Sequence, residues 1–246
     1  LRKSRLIILA ALEMETRAIA KALGAPFLRN CVMRHASAAI EVHTIGMRAT
    51  RLPQLLSVLS LTSEDRFWMA GLAGALDPAL HVGDVVVDAD PSGTDLPPST
   101  GVSIRRGKIH TSDRLVALPA DKGLLFAQTG ALAVDMEQRI AREMLAPLSI
   151  SVTGIRAISD TADTQLDPAL LHLVDPIGRP KWPALAAAMF RRPALLLSLI
   201  RLERDSSRAA RQLTRAIARL AELDPTKEQI GPGFDGLTAG KLREGQ

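Results

Sequence analysis

Short, largely apolar runs separated by amphipathic stretches constrain this chain more than any other feature. The runs are "RLIILAA" (5–11), "IEVHTIG" (40–46), "RFWMAGLAGAL" (66–76), "VGDVVVDAD" (82–90), "TGALAVDME" (129–137) and "LSISVTGIRAISD" (148–160). They read as buried strands. Helical patterns lie between and after them: about 14–23, "ATRLPQLLSVLSL", from 137 to about 145, and about 183–222. Strands that alternate with helices predict an α/β fold, a mostly parallel or mixed central sheet flanked by helices, here with a helical C-terminal extension. A length of 246 residues at 47% hydrophobic content is enough to bury its core. One domain is expected over 1–222, including a basic helical section at 181–222. Residues 223–246 lack periodicity and read as a flexible tail, while 91–101 and 161–183 read as loops.

Several classes are disfavoured by what the sequence holds. Cys31 is the single cysteine, so no internal disulfide forms, and a reducing, cytoplasmic setting is expected. His35, His43, His81, His110 and His172 include no i, i+4 pair and have no second cysteine nearby, so no metal site is expected. The opening "LRKSRLIILAALEMETR" has the basic start of a secretory leader, but its apolar run ends at once in Glu13 and Glu15. It reads as a first strand leading into a helix. No apolar stretch reaches the roughly 18 residues that a spanning helix needs.

The charge is local. Residues 181–220 carry nine basic and two acidic side chains, a net of +7 against +5 for the whole chain, so the remainder nets to −2. Arg201, Arg204, Arg208, Arg211, Arg215 and Arg219 recur at spacings of three or four along one helix face, with Leu199, Leu202, Ala209, Leu213, Ile217 and Leu220 on the other. Such a face is either simply solvated or placed against an anionic membrane surface. Nucleic acid is disfavoured, because 3% aromatic content with no tyrosine leaves few groups to stack on bases.

Open α/β sheets bind ligands beyond the carboxyl ends of their strands. At those ends lie Glu15, "GLAGAL" (71–76), "DMEQ" (135–138) and "RAISDTAD" (156–163). Gly71 and Gly74 would let backbone approach a ligand. Arg48 and Arg51 follow Gly46 and could hold an anion. "AALEMET", "GLAGALDPALHVGDVVV", "AVDMEQRIA" and "IRAISDTAD" together resemble, in order and spacing, the nucleoside phosphorylase superfamily. The likeness spans roughly residues 5–165 and is greatest to its methylthioadenosine/S-adenosylhomocysteine nucleosidase branch.

The resemblance implies cleavage of a ribose–purine bond through an oxocarbenium-like state, in which the departing base must receive a proton. By that resemblance Asp160 donates the proton to purine N7, from a carboxyl partly shielded from water, and Ser159 orients it. Arg156 is structural or sets the local field. Met136 and Glu137 match the pair beneath the ribose, the methionine packing on the sugar and the glutamate accepting from its hydroxyls. Ala73 and Gly74 match backbone that lines the base and sugar pocket. Glu15 matches the carboxylate that positions an attacking water, although a helix-start acid explains it equally well when taken alone. Arg48 is the candidate phosphate ligand. No cofactor is implied; phosphate is a possible co-substrate, and a homodimer is implied by resemblance alone.

Two departures from that pattern stand out. Leu72 occupies a position where the nucleosidases commonly carry serine, and the helical section after about 175 is long and basic. The segment "GRPKWPALAAAMFRRPALLLSLIRLERDSSRAARQLTRAIARL" resembles the C-terminal part of hopanoid-associated phosphorylases, which implies an adenosine with a triterpenoid on its 5′ carbon. The leading expectation is therefore release of adenine from a lipid-linked nucleoside of the adenosylhopane type, in hopanoid biosynthesis, at the cytoplasmic surface of the inner membrane. For the acceptor, Glu15 favours water and Arg48 favours phosphate, with the lean toward phosphorolysis. The alternatives are a hydrolytic methylthioadenosine/S-adenosylhomocysteine nucleosidase and a non-catalytic membrane-surface or nucleic-acid binding module.

Overall fold

The structure is a computed structural model and describes residues 5–24, 33–34, 40–89, 102–167, 172–191 and 195–222. Cys31, His35, the 91–101 loop and the 223–246 tail lie outside the described residues. Strands β1 (Leu6–Ala10), β2 (Met33–Arg34), β3 (Ile40–Thr44), β4 (Arg66–Ala75), β5 (Val85–Asp88), β6 (Ile104–Arg106), β7 (Ile109–Thr111), β8 (Ala133–Asp135) and β9 (Val152–Asp160) form one sheet. Its helices are α1 (Glu13–Ala22), α2 (Leu52–Val58), α3 (Pro119–Thr129), α4 (Gln138–Leu145), α5 (Trp182–Arg191) and α6 (Leu195–Glu222). The main path of the sheet runs β2-β3-β1-β4-β9-β5-β6, and β8 pairs with both β4 and β7.

The sheet is mixed, as expected. β1 is parallel to β3 and β4, and β4 is parallel to β9, whereas β5 runs antiparallel to β9 and β8 antiparallel to β4. The central strands are apolar along their length because both faces of the sheet are covered. Alternate residues of β1 show this. Leu6, Ile8 and Ala10 join a core with Ile19 and Ala20 of α1 and Ala209, Leu213, Ala216, Ile217 and Leu220 of α6. Ile7 and Leu9 face the other way, toward Leu52 of α2 and Ala141 and Leu145 of α4. Burial of each large aliphatic side chain contributes about 2 kcal/mol.

The helix α6 divides as its sequence predicts. Arg201, Arg204, Arg208, Arg211, Arg215 and Arg219 are exposed, and Ala209, Leu213, Ile217 and Leu220 are buried. Other boundaries differ. The apolar run at 129–137 holds only the three-residue strand β8, because Thr129 closes α3 and Gly130 takes a left-handed φ of 62° at its end. Helix α3 and strands β6 and β7 fall in a stretch to which the sequence pattern assigns no element. Their apolar residues are few and irregularly spaced, so periodicity is weak there. The reading of 161–183 as loop holds for most of its described residues, and its later part is tied to the segments that follow β1 and β3. The amide of Glu13 donates to the Ile177 carbonyl at 3.0 Å, and that of Met47 to the Pro176 carbonyl at 2.7 Å.

At the amino ends of the strands, Arg5 is 4% exposed and organises a buried ionic cluster. Its guanidinium donates to Asp65 at 2.9 and 3.1 Å, to Glu41 at 2.9 Å and to the Ser60 carbonyl at 2.8 Å. His43 lies 3.1 Å from the other oxygen of Glu41. Removing only the cation would strand two buried carboxylates, a change that typically costs about 3–5 kcal/mol. Arg5→Met should therefore lower unfolding stability by about that amount, read as a shift of the urea midpoint at constant m-value.

Candidate active site

Four strand ends supply the groups. The first turn of α1, immediately after β1, carries Glu15, which is 2% exposed. Its carboxylate accepts from the Leu12 amide at 2.9 Å and from the Leu72 amide at 2.8 Å. Leu72, which replaces the expected serine, thus serves the site through its backbone. Its side chain packs against the core that lies between β1 and α6. Burial raises the pKa of Glu15, and the Arg156 charge and the donated amides offset this only in part.

Arg156, in β9, is the centre of the arrangement. It is 1% exposed, bonds Asp135 of β8 and lies 3.6 Å from Glu137. Burial disfavours its charge, but Asp135, Glu137 and Glu15 more than compensate, and its pKa is raised. Its Nε is buried without a hydrogen-bond partner. Gly71, the β4 partner of Arg156, leaves the space that the guanidinium fills: a Cβ there would stand 2.4 Å from Nη1 of Arg156 and 2.9 Å from Oε1 of Glu15. The glycine is required for this close approach.

Asp135 is held from every side. It accepts from the Thr111 hydroxyl at 2.7 Å and from the Gln138 amide at 2.9 Å. These bonds fix the β8–α4 corner that presents Met136 and Glu137, Met136 being half-buried. Glu137 accepts from the backbone amide of Arg48 at 2.9 Å. Arg48 and Ala49 have φ of 55° and 53°, a left-handed geometry that non-glycine residues adopt only at a cost. The Arg48 side chain, the candidate phosphate ligand, is exposed, so its described link to the site is through the backbone.

A second group of side chains gathers farther along β9. Register along β4 slips between Ala73 and Gly74, so that Gly74 pairs with Asp160 and Ser159 is left without a register partner on β4. The Ser159 hydroxyl donates to Asp160 Oδ1 at 2.9 Å and lies 3.3 Å from the Ala73 carbonyl oxygen. A Cβ on Gly74 would stand 2.9 Å from Oδ2 of Asp160, so the acid lies directly against bare backbone. Asp160 is 7% exposed, which gives the shielding expected of it. Its surroundings are not simply apolar, however: Lys122 of α3, wholly buried, reaches Oδ2 at 2.6 Å.

The structure thus brings Glu15, Glu137 and Arg156 together, and it places Ser159 and Asp160 three and four residues of strand, roughly 10 and 13 Å of backbone, beyond Arg156. That separation is on the scale of a nucleoside. Sequence reasoning missed Asp135, Thr111 and Lys122. Asp135 stood beside the quoted pair and could have been found; Thr111 and Lys122 lie in elements without a periodic signal.

No protein-family model matches the chain, and no curated protein matches it. Solved structures do. The 5′-methylthioadenosine/S-adenosylhomocysteine nucleosidase of Helicobacter pylori aligns with a TM-score of 0.60 at 16% identity, over 90% of this chain and 100% of that one. The futalosine hydrolase of the same organism aligns at 0.59 and 16% identity, over 89% and 98%. A Colwellia psychrerythraea nucleosidase solved with adenine aligns at 0.58 and 18% identity, over 90% and 96%. The chain has the nucleosidase fold. Its mixed sheet, covering helices and C-terminal helix all belong to that architecture, and these sequence identities show the fold alone.

The Glu137 carboxyl carries a measurable signature of this site. Burial, with repulsion from Asp135 and Glu15, raises its pKa from 4.5 to about 7, against the opposing pull of Arg156 and the Arg48 amide. Unfolded chains release this proton near 4.5, whereas the folded chain retains it up to about 7. Between those values the native state holds more protons, so this group lowers stability as pH rises and its cost is complete above 7. Glu137→Gln should be more stable than the parent at pH 8, by at most about 3 kcal/mol, with the difference vanishing near pH 4.5. Denaturant titrations at the two pH values measure this.

Proposed function

We propose that the protein cleaves the N-glycosidic bond of a 5′-substituted adenosine and releases adenine. One observation carries the reading: Glu15 and Glu137 are gathered around Arg156 at the middle of β9, with the Ser159–Asp160 pair at its carboxyl end. Three carboxylates around one guanidinium leave net negative charge where a sugar would develop positive charge, which favours an oxocarbenium-like transition state. Asp160 is the acid for purine N7, oriented by Ser159. Glu137 accepts from the ribose hydroxyls with Met136 beneath the sugar, and Ala73 and Gly74 line the base. Glu15, buried beside Arg156, positions the nucleophile.

The sequence leans toward phosphate as acceptor. The charge balance supports water instead, since carboxylate excess repels a phosphate dianion and Arg156 is already engaged by Asp135. With a 5′-substituted adenosine as substrate, adenine release should be equal with and without phosphate. Asp160→Asn should lower turnover by about 100-fold or more. A phosphate-dependent rate would restore phosphorolysis, an unaffected variant would remove Asp160 from the role of acid, and no adenine release by the parent would favour a binding module over an enzyme.

For the 5′ substituent, we propose the lipid-linked, adenosylhopane-type nucleoside implied by the C-terminal resemblance, with the protein, as a homodimer, peripheral on an anionic bilayer. Trp182, Phe190 and Ile200 are exposed on α5 and α6, and the six arginines of α6 are exposed with them, which supports contact with such a surface. No helix among the described residues is long and apolar enough to cross a membrane. Replacing Arg208, Arg211 and Arg215 by glutamate should abolish sedimentation with anionic vesicles. Undiminished sedimentation would leave the methylthioadenosine nucleosidase reading, which the names of the structural neighbours support.

A further inference from the structure

Lys122 lies at hydrogen-bond distance from the expected general acid. It belongs to α3, an element with no part in the reading above, and its side chain is wholly buried. All three ammonium hydrogens have partners: Oδ2 of Asp160 at 2.6 Å, the Thr161 carbonyl at 2.8 Å and the Thr164 carbonyl at 3.1 Å. Ser159 occupies the other oxygen of Asp160. Both carboxyl oxygens of Asp160 therefore accept hydrogen bonds.

A buried lysine is a poor device for stability alone. Desolvating an ammonium and a carboxylate offsets most of their attraction, and apolar residues of similar volume are often as good or better. Here the pair ends on the atom that must change charge during the reaction. We propose that Lys122 is a positioning residue for proton transfer: it fixes the Asp160 carboxyl against Gly74 and stabilises the carboxylate that remains once the proton has moved to the purine. This rests on the glycosidase reading. In the step itself Asp160, in its protonated form, gives its proton to N7, the electrons of the C1′–N9 bond pass to the purine, and the acceptor water bonds C1′ as it gives up a proton to Glu15. Asp160 is then anionic and faces the ammonium already in place, so no reorganisation is needed as charge develops. The same ammonium ties Thr161 and Thr164 to the acid, so the turn after β9 and the orientation of Asp160 are set together.

The test compares two leaving groups. Adenine needs a proton at N7 to depart; p-nitrophenolate, from a p-nitrophenyl riboside, leaves as a stable anion. Lys122→Gln retains hydrogen bonding to the two threonine carbonyls but lacks the charge, and Lys122→Arg retains the charge. In Lys122→Gln the ratio of kcat/KM for the adenosine to kcat/KM for the nitrophenyl compound should fall by about 30-fold or more. In Lys122→Arg it should stay within about threefold of the parent. The ratio is independent of the fraction of folded enzyme, so poor folding cannot imitate the effect. An unchanged ratio in Lys122→Gln, with the parent active on both compounds, overturns the role of Lys122 alone. A parent protein that cleaves neither compound overturns the glycosidase reading and this role with it.

Discussion

A guanidinium enclosed by carboxylates is the interaction on which this site depends. Arg156 is buried in the central sheet against Asp135, with Glu137 at 3.6 Å and Glu15 close enough to act on its charge. Burying one cation alone would be prohibitive, and so would burying three anions alone. Together they are tolerated with a surplus of negative charge, which is what a reaction that generates a cationic sugar can use. The surplus has a cost, seen in the raised pKa of Glu137 and of Glu15. Under the proposed function, activity and stability pull against each other at these two residues.

Backbone does as much as side chains to hold this arrangement. Gly71 vacates the space that Arg156 occupies, Gly74 lets Asp160 lie against β4, and the amides of Leu12, Leu72 and Arg48 anchor the glutamates. Leu72 shows why a departure from a family pattern need not remove a site: the contact made to Glu15 belongs to the main chain and survives any side chain that fits. The same holds for Arg48, whose amide reaches Glu137 from a left-handed turn while its side chain is exposed.

Much of the architecture was legible beforehand. The apolar runs at 5–11, 66–76 and 148–160 became β1, β4 and β9, because strands buried on both faces must be nearly continuous in apolar residues. The arginine row of α6 faces outward, since a helix packed on a sheet turns its apolar stripe inward. Glu15, Glu137, Ser159 and Asp160 were likewise visible, because they stand where strands end, and Arg156 because it leads into the last two. Helix α3 and strands β6 and β7 were not, for their alternation is too weak to separate them from loop.

The sequence by itself determined the longer strands and helices, which helix face is basic, and which acids stand at strand ends, for these follow from local periodicity and from burial. Only the tertiary structure decided which charges meet. Lys122 is 38 positions from Asp160, Arg5 is 60 from Asp65 and Arg48 is 89 from Glu137, and nothing in the letters ties the members of these pairs to each other. Their contact is set by strand order and by the slip in register at Gly74. A pairing of that kind is a property of the assembled sheet, since each partner is satisfied only when the rest of the sheet has excluded water from both.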